Sequence, residues 1–339
     1  MLTVGEIIQG KAVDLDYQGQ GVVRYDGYVV FVKGLIDGEE AKIRIIKIHK
    51  QFGFGEIEEI IISSHDRITP ISDLESCDLS HLTLEKQRAW QVKITKETLK
   101  KIANLDVEIE EILYDQNDQN YRNKTVFHVM ENTFLTLGLF NKNNDKLVPV
   151  SSFDLADKPT NQMLEHLEKH KLLTDPTILK HIVFRTNPTQ EMLVTLVAHA
   201  KMFVGLRELV LFFGKQSNVK GVTLNIIDNP KSILGRKSIV LYGENVLIEP
   251  LKTISVFIND RSFFQVNSPV IEKAYQVIKE EINVGDTVID AYSGVGSIGF
   301  YLSDKAEKST MVEINPNSID MANKTKDRYQ FSHINIIEE

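Results

Sequence analysis

The sequence predicts a multidomain protein with a small N-terminal β-barrel, an α+β central domain and part of a Rossmann-like α/β domain. The barrel is indicated by short β-prone runs that glycine turns separate. The α/β part is indicated by an apolar run that ends in Asp290, a glycine-rich turn, and a second apolar run that ends in Glu313. The predicted domains cover residues 1–62, 63–267 and 268–339.

The N-terminal runs at residues 28–34, 41–49 and 56–62 predict strands of an oligonucleotide-binding-like barrel. The second run carries three cations that can share one face of the strand. They are placed to contact the phosphates of a nucleic acid, with an ordinary solvated strand face as the alternative. These cations are Lys42, Arg44 and Lys47.

Helices are predicted before and after the strands of the central region. Residues 80–103 predict an amphipathic helix with Ser80 or Thr83 as its N-cap. A second helix is predicted to begin at Ser268, with Asn267 as the favoured N-cap. Between them, strands are predicted at 134–140, 181–187, 192–198, 221–227 and 238–242, and helices at 160–173 and 202–214.

The glycine-rich turn favours one nucleoside cofactor. Asp290 closes the first strand, and three residues separate it from Gly294, whereas dinucleotide-binding turns enter their first glycine directly from the strand. A carboxylate at this strand end can meet the ammonium group of S-adenosylmethionine, and Glu313 can accept hydrogen bonds from ribose hydroxyls. NAD, FAD and a turn with no ligand are the alternatives.

Composition excludes several other classes of protein. The 339 residues are 42% hydrophobic, which is ordinary for a globular chain, and no apolar run approaches the length of a membrane span. A single cysteine and the absence of a signal-peptide pattern lead us to expect a cytoplasmic protein. The net charge of −8 argues against a large non-specific nucleic-acid surface but allows a local basic patch.

Six motifs follow one another along the chain, and the last two are the most specific. They lie at residues 31–34, 37–39, 77–90, 121–124, 263–267 (Phe-Phe-Gln-Val-Asn) and 290–299 (Asp-Ala-Tyr-Ser-Gly-Val-Gly-Ser-Ile-Gly). Together they resemble the bacterial RNA (uracil-C5)-methyltransferases, which form 5-methyluridine. The barrel resembles the TRAM domain of the 23S ribosomal RNA type, so the resemblance implies an RNA substrate, with ribosomal RNA favoured over transfer RNA.

The resemblance also implies roles for individual residues. Gln265 would contact the methionine part of the cofactor, although it could instead cap a turn. Tyr292 would lie beside the cofactor, although it could instead fill the core. The other implied residues are Gly294, Gly296 and Glu313 around S-adenosylmethionine, and Arg122 and Lys124 toward RNA, where a solvated loop is the alternative.

The cysteine content departs from the family pattern. Many members hold an iron–sulfur cluster on four cysteines, whereas only Cys77 is present here. One thiolate cannot hold a cluster, so we predict no cluster and no other metal. Cys77 is expected to be a buried small residue and not a catalytic thiol.

The catalytic segments of the family are also missing from the sequence. Covalent catalysis at C6 of uracil needs an activated cysteine, and the family places this cysteine and its general base after the second strand of the α/β domain. We expect them downstream of Glu339 in a C-terminally truncated chain, which would be inactive alone and prone to self-association at an open strand edge. A complete chain would be monomeric, and a non-catalytic RNA-binding protein or relic is the alternative function.

Overall fold

The computed structural model describes residues 2–109 and 112–339. They form two compact units, one of Met1–Ile112 with Phe140–Lys146 and the other of Leu113–Leu139 with Leu147–Glu339. Within the described ranges, none of the helices combines the length and the apolar character that crossing a membrane requires.

The first unit begins with a closed five-stranded barrel. Its strands neighbour one another in the order β1-β2-β3-β5-β4, and β3 pairs with β5 in parallel while the other pairs are antiparallel. The strands are β1 (Ile7–Leu15), β2 (Gly21–Tyr25), β3 (Tyr28–Val32), β4 (Glu40–Ile48) and β5 (Phe52–Ile62).

A β-bulge in β4 changes which side chains face outward. Ile43 and Ile45 are buried in the barrel core, as simple alternation requires. The register then shifts between Ile45 and Lys47, so Ile46 is an extra residue and is 43% exposed. Ile48 packs on the core again, and Lys47 lies on the outer face.

Helix α1 (Leu84–Ala103) follows the barrel in the same unit. Thr83 is its N-cap, because the Thr83 side chain accepts a hydrogen bond from Lys86 N–H, which decides between the two predicted caps. Trp90 of this helix packs on a small cluster that includes Leu15 and donates from Nε1 to the carbonyl of Asp16 at 2.9 Å. The helix is thereby attached to the barrel surface.

The second unit contains a seven-stranded sheet with the order β12-β11-β10-β9-β6-β7-β8. Strands β9, β10 and β11 of this sheet are almost fully buried, since most of their residues are apolar on both faces. The strands are β6 (Lys124–Val129), β7 (Leu137–Phe140), β8 (Leu147–Pro149), β9 (Leu179–Thr186), β10 (Met192–Ala198), β11 (Val219–Ile226) and β12 (Lys237–Gly243).

The two helices of this region are shorter than predicted. Helix α2 (Lys158–Glu168) begins after Asp157, whose side chain accepts a hydrogen bond from Thr160 N–H. Helix α3 (Leu206–Gly214) begins after Gly205, which adopts a left-handed φ of 86°. A side-chain cap thus marks the start of α2 and a left-handed glycine marks the start of α3, and hydrophobic periodicity alone placed both less accurately.

A hairpin and a three-stranded parallel sheet complete the second unit. The sheet has the order β15-β16-β17, and β15 is an edge strand among the described residues. Its Ile289 side chain is 72% exposed. The elements are β13 (Leu247–Leu251), β14 (Ile254–Ile258), α4 (Ser268–Glu280), β15 (Thr287–Ala291), α5 (Ser297–Tyr301), β16 (Lys308–Glu313), α6 (Pro316–Tyr329) and β17 (Ile334–Glu338).

One apolar core lies beneath the glycine-rich turn. It joins Phe300 of α5 and Met311 of β16 to Met321 of α6. Val256 and Ile258 of the hairpin belong to the same core, although they precede the predicted start of the α/β domain at residue 268. The predicted domain boundaries stay predictions, and the packing shows that the hairpin supports the turn.

Candidate cofactor and RNA-binding sites

Three residues of the glycine-rich turn adopt left-handed backbone conformations. The φ angles are 61° at Tyr292, 58° at Gly294 and 78° at Gly296. Glycine adopts this conformation readily, whereas a bulky residue does so at a cost. The Tyr292 side chain is 95% exposed, so the alternative that it fills the core is wrong. A strained backbone that presents an exposed ring is typical of a functional turn.

Glu313 holds this turn from the end of β16. Its Oε2 accepts a hydrogen bond from Gly294 N–H at 2.8 Å. Its Oε1 accepts hydrogen bonds from Ile314 N–H at 2.8 Å and Asn315 N–H at 2.7 Å. Because a carboxylate offers about four acceptor positions, about one remains, on Oε2, for a ligand hydroxyl.

Asp290 holds the other side of the turn from the end of β15. The carboxylate is 9% exposed, and its Oδ2 accepts a hydrogen bond from Gly299 N–H at 3.0 Å. Burial raises the pKa of Asp290 above its ordinary value, and the negative charge of Glu313 raises it further. A positively charged ligand group beside Asp290 would favour the ionised form and so oppose this rise in pKa.

The glycines of the turn serve two different purposes. A side chain at Gly296 would meet Met311 Sδ and Phe300 Cε2, both at 2.7 Å, and one at Gly299 would meet Met311 Cε at 2.4 Å. These two glycines are required by packing. A side chain at Gly294 would point into open space, with its nearest neighbour Phe263 O at 3.9 Å. Only Gly294 therefore leaves room for a ligand against the backbone, and the turn fits a nucleoside cofactor.

The Phe-Phe-Gln-Val-Asn segment is held through its backbone. Asn123 Nδ2 donates to the carbonyl of Gln265 at 3.1 Å, and Asn123 N–H donates to the carbonyl of Val266 at 3.0 Å. The Gln265 side chain is exposed. Asn267 is the N-cap of α4, as predicted, because its side chain accepts from Val270 N–H at 3.3 Å. The segment thus presents the Gln265 side chain outward while its main chain is tied down.

Buried charged residues support the same segment, and the sequence analysis missed them. Arg185 is 3% exposed and donates from Nη2 to the carbonyl of Ser262 at 2.6 Å. Glu249 is fully buried and accepts a hydrogen bond from Ser268 Oγ at 2.8 Å. Burial raises the pKa of Glu249 to about 7. An arginine directly after the apolar run at residues 182–184 of β9 was the signal that could have revealed this support.

The chain matches known methyltransferases over most of its length. The family model described as tRNA (Uracil-5-)-methyltransferase matches residues 85–338, and the TRAM domain model matches residues 3–57. The chain belongs to the tRNA (uracil-5-)-methyltransferase family. It therefore joins a TRAM domain to an RNA methyltransferase region, as the sequence motifs predicted.

Curated relatives agree with this family. The chain is 32% identical to a Lactococcus lactis protein named uncharacterized RNA methyltransferase YljE, over 94% of this chain and 74% of that protein. It is 31% identical to a similarly named Fusobacterium nucleatum protein, FN1713, over 99% of this chain and 77% of that protein.

A solved structure shows the same fold. The Pyrococcus abyssi tRNA (uracil-54, C5)-methyltransferase, crystallised with S-adenosyl-L-homocysteine, matches with a TM-score of 0.74 at 19% identity. The match covers 97% of this chain and 79% of that chain. The likeness confirms that the region after the barrel has a methyltransferase fold.

Arg122 and Lys124, the two cations of the central region that were predicted to contact RNA, are more buried than residues of a solvated loop. Lys124 is the first residue of β6 and is half-buried. Burial, together with the positive charge of nearby Arg185, lowers the pKa of Lys124 to about 7. The Arg122 guanidinium lies 6.0 Å from the centre of the Phe153 ring, and its Nε is buried. Their role in RNA binding stays a prediction, and their surroundings weaken it.

The three β4 cations that were predicted to contact RNA fall into two groups. Lys42 Nζ lies 2.7 Å from Glu59 Oε2, and Arg44 is paired with Glu58. Lys47 is exposed and makes no ion pair within residues 2–109 and 112–339. Only Lys47 thus keeps an uncompensated charge for a phosphate, although contact with RNA stays a prediction for all three.

Cys77 lies in the first unit and is 4% exposed, so its predicted burial is confirmed. In the part of the chain that the structure describes, no three histidine, cysteine or acidic side chains are grouped to hold a metal ion. The absence of an iron–sulfur cluster stays a prediction.

Proposed function

We propose that the chain acts in the S-adenosylmethionine-dependent methylation of uridine at C5 in RNA. The observation that carries the proposal is the turn after β15, where Asp290 and Glu313 flank the open position at Gly294. This arrangement stands at the carboxyl ends of two adjacent parallel strands, where open α/β sheets bind their ligands. The family membership supports the reaction class.

Electrostatics favours S-adenosylmethionine over a dinucleotide. The cofactor carries a sulfonium and an ammonium group, and both are positive beside the carboxylates of Asp290 and Glu313. A pyrophosphate would instead bring two negative charges toward a carboxylate whose pKa is already raised by burial and by its neighbour. NAD and FAD are therefore disfavoured at this turn.

Each residue of the turn has a proposed role. Glu313 accepts a hydrogen bond from a ribose hydroxyl through the remaining acceptor position on Oε2. Asp290 and the exposed Gln265 side chain orient the methionine part, and the Tyr292 ring shields the ligand from water. Gly294 lets the ligand approach the backbone. When bound, S-adenosylmethionine supplies an electrophilic methyl group.

We propose unpaired RNA as the macromolecular substrate, with ribosomal RNA favoured over transfer RNA. The TRAM domain supports RNA binding. Of the five cations singled out, Lys47 has the surroundings that best suit a phosphate contact, and Lys42, Arg44, Arg122 and Lys124 are secondary candidates.

The covalent step at C6 of uracil is assigned to no residue among these 339. Cys77 is the one cysteine in the sequence, and it is buried in the first unit, whereas the glycine-rich turn belongs to the second. We therefore limit the proposed contribution of the described residues to binding the cofactor, holding its orientation and binding RNA. Self-association through the β15 edge is a further proposal, which light scattering can test.

Equilibrium dialysis with labelled S-adenosylmethionine tests the cofactor assignment. We expect saturable binding that Glu313→Ala weakens and that excess NAD does not displace. As a matched control, Glu307→Ala removes an exposed glutamate of the same unit and should leave binding unchanged. Displacement by NAD, or equal binding by the Glu313 and Glu307 variants, would refute the assignment.

A non-catalytic RNA-binding protein is the second candidate. It is favoured by one observation: Glu313 already accepts three backbone hydrogen bonds, so the turn is complete without a ligand. Salt-sensitive RNA binding together with no detectable S-adenosylmethionine binding would select this function.

A further inference from the structure

Four aromatic rings form a continuous cluster on the outer face of the barrel. Phe52 is the central ring, with its centroid 4.7 Å from His49, 5.9 Å from Phe31 and 5.7 Å from Phe54. Phe31 and Phe54 are also in contact, at 5.9 Å. We call these four residues the outer aromatic cluster. Of these four, only Phe31 lies in a motif identified in the sequence, at residues 31–34.

The sequence of β5 forces these rings outward. Gly53 and Gly55 occupy the inward positions, where a side chain at Gly53 would meet Lys47 O at 2.8 Å and one at Gly55 would meet Ile43 Cγ2 at 2.3 Å. The alternate positions, Phe52 and Phe54, must then face away from the core. Phe52 is 36% exposed. This strand reverses the usual pattern of apolar residues inside and polar residues outside, which marks an interaction surface.

One cation stands at an end of each of the two cross-strand rows that contain the three phenylalanine rings. In one row, Phe31 of β3 pairs with Phe54 of β5, and Phe54 pairs with Lys47 of β4. In the next row, Arg24 of β2 pairs with Val29, which pairs with Phe52. Arg24 and Lys47 are exposed, and so is Lys50 in the turn between β4 and β5.

None of these three cations forms an ion pair within the ranges 2–109 and 112–339. At the opposite end of β4 and β5, Lys42 is paired with Glu59 and Arg44 is paired with Glu58. Three cations without an ion pair thus lie on the strands and the turn around the rings.

We propose that the outer aromatic cluster is a stacking platform for two or three unpaired RNA bases, with Lys47, Lys50 and Arg24 contacting the flanking phosphates. The inference rests on the proposed function, because it specifies how that RNA substrate is held. Rings exposed on a sheet stack on bases of any sequence, and flanking cations follow the backbone. Four neighbouring strands span roughly 14 Å, which accommodates two or three extended nucleotides.

An RNA partner fits this surface better than a protein or an RNA duplex. A protein interface of this kind would be expected to have apolar residues at its centre and few cations. A duplex hides its bases and offers mainly phosphates and ribose hydroxyls, which do not need rings. The combination of clustered aromatic faces and uncompensated cations is typical of single-stranded nucleic-acid binding.

The test asks whether RNA binding needs aromatic rings or only apolar side chains at these positions, and it uses the full 339-residue chain. Phe52→Leu with Phe54→Leu keeps apolar side chains but removes the stacking faces, and Phe52→Tyr with Phe54→Tyr keeps the faces. Ile61→Ala on the same strand is the control, because Ile61 is 42% exposed and lies outside the cluster. Fluorescence anisotropy measures binding of an oligouridine of about 12 nucleotides and of a matched RNA duplex.

We expect the leucine variant to bind oligouridine at least about tenfold more weakly, while the tyrosine and Ile61 variants stay within about threefold of the parent. Duplex binding should change by less than about twofold. Equal losses for duplex and oligouridine, an unchanged leucine variant, or a parent chain that binds no oligouridine would each overturn the proposal. If the parent chain bound no oligouridine, a protein partner would be favoured for this surface.

Labelled S-adenosylmethionine dialysis on the same variants separates this inference from the proposed function. Retained cofactor binding with unchanged RNA binding in the leucine variant would refute the stacking platform alone. Circular dichroism melting verifies that each variant is folded, and because all substituted rings are partly exposed, we expect little loss of stability.

Discussion

The glycine-rich turn and the outer aromatic cluster represent two different ways to build a binding surface. In the turn, the carboxylates of Asp290 and Glu313 accept backbone hydrogen bonds, so they shape the main chain before any ligand arrives. In the cluster, the side chains project from barrel strands that are paired through backbone hydrogen bonds. The turn depends on backbone geometry, whereas the barrel surface depends on the chemistry of exposed groups.

This difference implies that substitutions should act differently in the two places. Changes in the turn should alter folding and cofactor binding together, because the same atoms serve both. Changes on the barrel surface should alter RNA binding with little effect on stability. The following predictions test that separation, starting with the largest effect.

Gly296→Ala should destabilise the chain by about 2–4 kcal/mol and abolish cofactor binding. The added methyl group would meet Met311 and Phe300, and the φ of 78° is unfavourable for alanine. Gly294→Ala is the matched control, since its methyl group would enter open space and cost about 1 kcal/mol through backbone conformation alone. Chemical denaturation measures both, and similar losses would show that packing does not distinguish the two glycines.

Glu249 should make the stability of the second unit depend on pH. Its pKa is raised to about 7 in the folded chain, so its contribution is fully present below the unfolded pKa and is lost as pH rises through 7. Unfolding free energy should fall by up to about 3 kcal/mol between acidic and mildly alkaline pH. Glu249→Gln should remove most of this dependence.

Glu244→Gln provides the control for that experiment, because Glu244 is an exposed carboxylate in the same region. Denaturation curves at a series of pH values should coincide for this variant and the parent. If the Glu249 and Glu244 variants showed the same pH dependence, burial of Glu249 would not be its cause.

Asp290→Asn should change stability and cofactor binding in opposite directions. The folded pKa of Asp290 is raised by burial, so its ionised form destabilises the chain as pH rises, and asparagine should increase the free energy of unfolding at neutral pH. The same change should weaken S-adenosylmethionine binding about tenfold, because the ammonium group loses its counter-charge. Asp320→Asn, at an exposed site, should change neither quantity in dialysis or thermal melting.

Lys47→Gln should produce the smallest effect, a loss of a few-fold in oligouridine affinity. The slope of log affinity against log salt should fall by about 0.7, as expected for one lost phosphate contact on a single strand. Lys42→Gln is the matched control on the same strand, and it should leave affinity and slope unchanged because Glu59 already compensates Lys42. Equal slopes for the two variants would argue against a phosphate contact by Lys47 that Lys42 does not make.

Local signals in the sequence predicted much of the framework. The strand predicted at 192–198 is β10 without change of bounds, and Asn267 caps α4 as expected. The apolar runs that end in Asp290 and Glu313 are the parallel strands of the turn. These features depend on hydrophobic periodicity, capping and glycine geometry, which act between residues close in sequence.

Other features were missed because their sequence signals are weak or conflicting. The start of β5, at Phe52, was not predicted, since alternating glycines lower strand propensity. The extra residue in β4 that turns Lys47 outward has no distinct sequence signature.

The sequence by itself determined β-prone runs in three of the five barrel strands, the glycine-rich turn and the residue types available for binding. Only the tertiary structure decided that Glu58 and Glu59 neutralise two of the barrel cations and that Arg185 and Glu249 lie buried under the 263–267 segment. The physical reason is that charge pairing and burial depend on residues far apart in sequence, whose neighbours are set by strand order and register.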